Sequence, residues 1–146
     1  DTPADLRERA LLLAGRVLEF DPALTGGRGY ARAMELLGSG EALAAMERLI
    51  DAQGRRKEVL EPGRHHHEIC APTDGTVTAI DCHLIARIAR LAGAPMDKGA
   101  GIDLLHKVGE EVRRGEVLYR IHAHSETGLI YARELATTAS GYTVTQ

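Results

Sequence analysis

The hydrophobic period of this chain shifts near residue 55, and that shift limits the folds open to it. Before it, apolar residues recur at helical spacing. After it, they mostly alternate as strands do. Thr2-Pro3-Ala4-Asp5 opens the first helix: Thr2 supplies a cap, Pro3 fits the first helical position, and Asp5 favours the positive end of the dipole. Leu6, Ala10, Leu13, Ala14, Val17 and Leu18 share one face. Asp21-Pro22 and Gly26-Gly27 break the pattern, and Tyr30, Met34 and Leu37 mark a second helix ended at Gly38. Ser39 is placed to cap a third, with Leu43, Met46, Leu49 and Ile50 on its apolar face and Gly54 at its end.

The polar stretch 54–64, with Pro62-Gly63 inside it, is the expected boundary. Beyond it, Glu68–Ala71 reads as a strand, Pro72-Thr73-Asp74-Gly75 as a turn and Thr76–Asp81 as a second strand. Cys82–Ala92 returns to helical spacing, with Leu84, Ile85, Ile88, Ala89 and Leu91 on the apolar side and Gly93 as the stop. Ala94–Gly101 is a Gly/Pro loop. Strands follow at Ile102–Val108 and Val117–Ala123, then a helix at Glu126–Thr138. The expected class is α+β: a helical segment over residues 1–55, then a small β-sandwich or barrel with a crossing helix over residues 56–146.

In Val108-Gly109-Glu110-Glu111-Val112-Arg113-Arg114-Gly115-Glu116, two valines four apart are expected to face the core from a tight charged bend. Its glycines allow the backbone to turn a sheet corner. Paired with Ala71–Val77, this unit forms the sandwich and needs no ligand to explain its glycines.

Composition removes several functions. With no Trp, one Phe and four Tyr, the core is aliphatic and offers no stacking platform for single-stranded nucleic acid. A net charge of −3 gives no electrostatic case for nucleic acid or an anionic membrane. No segment is apolar enough to span a membrane and no signal peptide is visible, so a cytoplasmic protein is expected. Cys70 and Cys82 are too few for a disulfide framework and are expected as buried thiols in a reducing compartment. The chain starts at Asp1 without Met, directly at a helix start, which reads as a fragment of something larger.

Local motifs do not identify a catalytic centre. Thr25-Gly26-Gly27-Arg28-Gly29 precedes a helix and could cradle phosphate on backbone N–H groups, or simply connect two helices. It matches no P-loop or dinucleotide fingerprint. His65, His66 and His67 are adjacent, so their side chains diverge and do not converge on one metal. His122 and His124 could share a strand face but lack a spaced third ligand, and no metal is expected. There is no nucleophile elbow and no H-E-x-x-H.

Two resemblances carry further. "APTDGTV" with "KVGEEVRRGEVLYRIHA" looks like the sheet corners of a biotinyl/lipoyl hammerhead, which carries its cofactor on a hairpin-tip lysine. Met96-Asp97-Lys98-Gly99 has such a lysine, but on the other side of the V-G-x-x-V segment and after an interposed helix. The longer stretch Ala71–Ala123, with "LAGAPMDKGAGIDL" and "KVGEEVRRGEVLYRIHA", closely resembles the C-terminal domain of the pyrimidine nucleoside phosphorylase family, which includes thymidine and AMP phosphorylases. "GSGEALAAMERLIDAQG" resembles a helix of the same family, and the first helix resembles the one that closes its central α/β domain.

This resemblance implies an α/β hammerhead-like second domain and a transferase that carries a pentosyl group from a nucleoside, or a nucleoside monophosphate, to inorganic phosphate. No other cofactor is implied. The family's phosphate loop and base-binding residues match nothing in this chain, so no residue here is expected to be catalytic. Nucleoside and phosphate would be bound through domains upstream, in a parent that is a homodimer; the fragment alone would be inactive and could be monomeric. Lys98, Gly99 and Gly101 are the candidate substrate-loop residues, with Pro95–Gly101 as the moving edge of a wall beside the cleft. The competing readings are a carrier or binding module and a stand-alone structural domain.

Overall fold

A computed structural model describes residues 3–56 and 59–146, which divide into two compact units, Asp1–Lys57 and Glu58–Gln146. The first unit is helical. Helix α1 (Ala4–Leu18) is followed by a short 3-10 turn at Pro22–Leu24, then α2 (Arg28–Gly38) and α3 (Glu41–Gln53). Pro3 occupies the N-cap of α1 rather than its first turn, and Thr2 lies outside the described residues. Glycine sets the closeness of α1 and α2: a Cβ on Gly15 would lie 2.8 Å from the Tyr30 Cα, and one on Gly29 would meet the Gly15 carbonyl. Leu11 and Ala33 are buried around this contact. The seam therefore runs through Leu11 and Gly15, while Leu13 of the expected apolar face is exposed.

The end of α2 also differs from expectation. Ser39 caps α2 at its C-terminus, and Gly40, in left-handed conformation, is the N-cap of α3. The expected apolar face of α3 is present but uncovered within its unit: Leu43 is 65% exposed, Met46 57% and Leu49 54%. Arg55 pairs with Asp51 at 2.9 Å and with Glu47, on the solvated side.

The described residues of the second unit form six strands and two helices. Strands β1 (His65–Cys70), β5 (Val117–Ala123) and β3 (Gly101–Leu104) form one antiparallel sheet in the order β1-β5-β3. Strands β4 (Glu111–Val112), β2 (Gly75–Ile80) and β6 (Tyr142–Thr145) form a second, in the order β4-β2-β6. Both sheets are open. Helices α4 (Cys82–Ala92) and α5 (Glu126–Thr138) pack on each other and on the strands. The α+β class is as expected.

Asp81 caps α4 by accepting the His83 and Leu84 N–H groups at 2.9 and 3.0 Å, and Gly93 ends it. Ser125 caps α5 by accepting the Gly128 N–H. The core is aliphatic, with Val77, Ile88, Leu118, Ile121, Ala132 and Ala136 almost wholly covered. Tyr119 is buried with them; its hydroxyl donates to the Ser140 carbonyl at 2.8 Å and its ring stacks on Tyr142 at 5.6 Å.

The glycine-rich bend pairs with residues 71–77 as expected. Gly109 N–H donates to Val77 O at 2.8 Å and Val77 N–H to Glu110 O at 2.9 Å. Gly115 N–H donates to Ala71 O at 2.9 Å and Ala71 N–H to Glu116 O at 2.8 Å. Gly109 and Gly115 have φ of 95° and 85°, which a side chain resists. Of the two valines, Val112 is buried but Val108 is 57% exposed. The preceding strand ends at Leu104, not Val108, so Val108 falls in a turn closed by Lys107 N–H donating to the Glu110 carboxylate.

Four other differences are local. The histidine run lies inside β1, which starts at His65 rather than Glu68. Strand β6 was not expected. Cys70 and Cys82 are both exposed: strand alternation buries Ile69 and turns Cys70 outward, and Cys82 opens α4 on its wet side. No helix among the described residues is long and apolar enough to cross a membrane.

Replacing Ile88 by Ala is expected to destabilise the second unit by about 2–5 kcal/mol, whereas Val108→Ala should stay within about 0.5 kcal/mol of the parent. A urea titration followed at Ile121 distinguishes them; equal losses would contradict the assigned core.

Candidate functional site

Lys98 and Gly99 lie in the loop that follows the Gly93 stop, and Gly101 is the first residue of β3. They line one shallow pocket together with Pro62, Asp103 and His122. The loop is stitched by its own backbone. Asp97 N–H donates to Gly93 O at 3.0 Å, Ala100 N–H to Asp97 O at 3.2 Å, and Gly99 N–H to the Asp97 carboxylate at 3.0 Å. Among the described residues, the exposed Lys98 ammonium reaches only the Pro95 carbonyl, at 3.4 Å. Lys98 thus stands between a helix and a strand, not at a hairpin tip.

The two glycines are not equivalent. A Cβ on Gly99 would meet the His124 ring and lie 2.8 Å from the Glu61 carbonyl, while one on Gly101 would enter open space. Neither has a positive φ. Gly99 is required by close approach; Gly101 allows an unobstructed start to β3.

Two nearby carboxylates are held by histidines. His122, whose side chain is only 13% exposed, holds Asp103 at 2.9 Å across the β5–β3 pair. His124 lies past the end of β5, and its Nε2 is 3.5 Å from Asp97. The two histidines therefore serve different carboxylates rather than one metal. His66 faces His122 across β1 and β5 with ring centroids 6.4 Å apart. Among the described residues, no three His, Cys, Asp or Glu side chains are grouped to hold a metal ion. The chemistry this pocket offers is charge placement: one free-standing ammonium beside backbone that can approach a ligand closely. Its anchoring carboxylates, Asp97 and Asp103, carried no local signal beyond their place in the "DKGAGID" stretch.

The Thr25–Gly29 loop has other work. Gly27 N–H donates to the Glu19 carboxylate at 2.7 Å and Arg28 Nε to the Thr25 carbonyl at 3.0 Å. An anion there would have to displace Glu19, so the loop acts as a helix connection.

Burial holds the His67 imidazole below its ordinary range; Arg133 adds to this and Glu68 opposes it. A histidine depressed in this way is neutral when folded and takes up a proton on unfolding. Its contribution is therefore full above the unfolded value of about 6.5 and is lost as pH falls through that value towards the folded one. His67→Gln should flatten the acid-side loss of stability, read as urea midpoints between roughly pH 7 and 5. Parallel losses in the two chains would contradict this assignment.

Residues 76–143 match the family model described as the pyrimidine nucleoside phosphorylase C-terminal domain. A protein named "Putative thymidine phosphorylase" from Methylococcus capsulatus is 52% identical over 144 residues, which is 99% of this chain and 28% of that protein. One of the same name from Bradyrhizobium diazoefficiens is 51% identical over 144 residues, with the same shares. A "Bifunctional ribose 1,5-bisphosphokinase-thymidine phosphorylase" from Azorhizobium caulinodans is 50% identical over 142 residues, 97% of this chain and 20% of that protein. The chain thus spans 28% or less of the length of these relatives, and in the first two it corresponds to the C-terminal part.

Proposed function

We propose, from the match of residues 76–143 to the pyrimidine nucleoside phosphorylase C-terminal domain, that the chain is the C-terminal lobe of a cytoplasmic pentosyltransferase. The complete protein moves a ribosyl or deoxyribosyl group from a pyrimidine nucleoside, or a nucleoside monophosphate, to inorganic phosphate. Free base and a sugar-1-phosphate leave. Phosphate attacks C1′ as the bond to the base breaks, with positive charge building on the sugar and negative charge on the base. Such a site must clamp the anion, neutralise the departing base and exclude water.

Within that reaction the bond-breaking groups and the main grip on phosphate and base are contributed upstream, this chain adds one contact to phosphate from Lys98, and inorganic phosphate is the only co-substrate. The second unit is a wall beside the cleft, with Pro95–Gly101 as its edge and the Lys98 ammonium turned to the phosphate when the cleft closes. Gly99 and Gly101 leave the loop free of side chains on that edge. The helical segment 1–55 closes the central α/β domain of the parent, and the uncovered face bearing Leu43, Met46 and Leu49 is the surface it would bury there. The parent is a homodimer whose contacts lie outside this chain.

The observation that carries this reading is the likeness to thymidine phosphorylase-named proteins along almost the whole chain, the Lys98 loop included. The test uses the complete protein with a pyrimidine nucleoside. Base should be released only when phosphate is present, and Lys98→Ala should raise the KM for phosphate about tenfold or more, the worth of one charge-assisted contact. Base release indifferent to phosphate would overturn the activity, and an unchanged KM would remove Lys98 from it.

A further inference from the structure

The segment that leads from the helical unit into β1 runs against the Lys98 loop, and the contact is made backbone to backbone. Gly63, buried, donates its N–H to the Gly99 carbonyl at 2.7 Å. Neither glycine has room for a side chain. A Cβ on Gly63 would meet the Ala123 carbonyl and lie 2.8 Å from the His124 amide nitrogen; one on Gly99 would meet the His124 ring and lie 2.8 Å from Glu61 O. Asp97 fastens the far side: one carboxylate oxygen accepts the Gly99 N–H at 3.0 Å and stands 3.5 Å from His124 Nε2. Three segments distant in sequence, 61–63, 97–100 and 123–124, therefore meet at one point.

A loop that only connected α4 to β3 would not need this. Both glycines have ordinary backbone angles, so turn geometry does not demand them; the clearance of the neighbouring backbone does. One end of the contact, 123–124, closes the central strand of the sheet, which is fixed by the core. The other two members are the linker that leads into β1 and the loop that bears the Lys98 ammonium.

We propose that Gly63, Gly99, Asp97 and His124 form a clasp that fastens the linker to the Lys98 loop, so that a displacement of the linker displaces Lys98. These are positioning residues: they act on the ammonium through the loop and touch no reacting atom. The clasp gives the loop a mechanical input from the chain that precedes it. Its consequence for phosphate rests on the function proposed above, but the coupling itself is a property of the substrate-free chain. Coupling between two segments is reciprocal, so it is readable from either side.

The test perturbs each side and reads the other, by amide hydrogen exchange in the 146-residue chain. Gly63→Ala works from the linker and Asp97→Ala from the loop, with Ile121 in the central strand as the reference. Gly63→Ala should speed exchange at Gly99 and Ala100 by about tenfold or more, and Asp97→Ala, which removes the acceptor of the Gly99 N–H, should do the same at Gly63, with Ile121 unmoved. A variant that speeds exchange only in its own segment overturns the clasp. If Gly63→Ala does not fold, Asp97→Ala decides alone: an unmoved Gly63 amide sinks the proposal. In the complete protein, Asp97→Ala should raise the phosphate KM beside Lys98 and change it no further in a Lys98→Ala background. A protein that shows no phosphorolysis leaves the exchange result standing, and independent exchange leaves phosphorolysis standing, so the two readings fail separately.

Discussion

The second unit depends on the four backbone hydrogen bonds that join Ala71 and Val77 to residues 109–116. They tie the connection from β1 into β2 to the glycine-rich bend at both of its ends. Gly75 then faces Val112 and Thr76 faces Glu111, and the second sheet grows outward from this pair. The same bend delivers the chain into β5, the central strand of the first sheet. Backbone groups at a sheet corner must find partners or water. Here they find each other, and Val77 and Val112 close over the core beneath them.

Once β5 is fixed, the candidate site follows. The end of β5 supplies the Ala123–His124 backbone against which Gly63 lies and leads to the His124 ring against which Gly99 lies, and its pairing with β3 brings His122 to Asp103. The Lys98 loop is then held by backbone contacts and carboxylates, leaving only its ammonium uncommitted to an ion pair among the described residues. This is an economical way to place one charge: a rigid scaffold with a single long side chain at its edge.

Much of this was legible where a local rule governs. Helices α4 and α5 run over the expected residues because Asp81 and Ser125 are strong caps and the apolar spacing between them and the ends is unbroken. The bend was legible because only glycine takes the φ values at 109 and 115 comfortably. Strand β6 was not, since four residues with a half-wet pattern say nothing alone, and their partner β2 lies more than sixty residues away. The exposed thiols and Val108 were misplaced for a related reason: being apolar suggests burial, but strand ends decide orientation. In the site, Lys98, Gly99 and Gly101 stood out as a motif and do line one pocket. Gly63, Asp97 and His124 became visible only through contacts between distant segments, which no spacing encodes.

Under the proposed function, this chain shapes and supports a phosphorolytic site whose bond-breaking groups belong to the rest of the protein. The most direct measurement incubates the purified chain with a pyrimidine nucleoside and phosphate, alone and together with the separately produced upstream part. The account predicts no sugar-1-phosphate from the chain alone and its appearance when the two are combined. Sugar-1-phosphate formed by the chain unaided would contradict it.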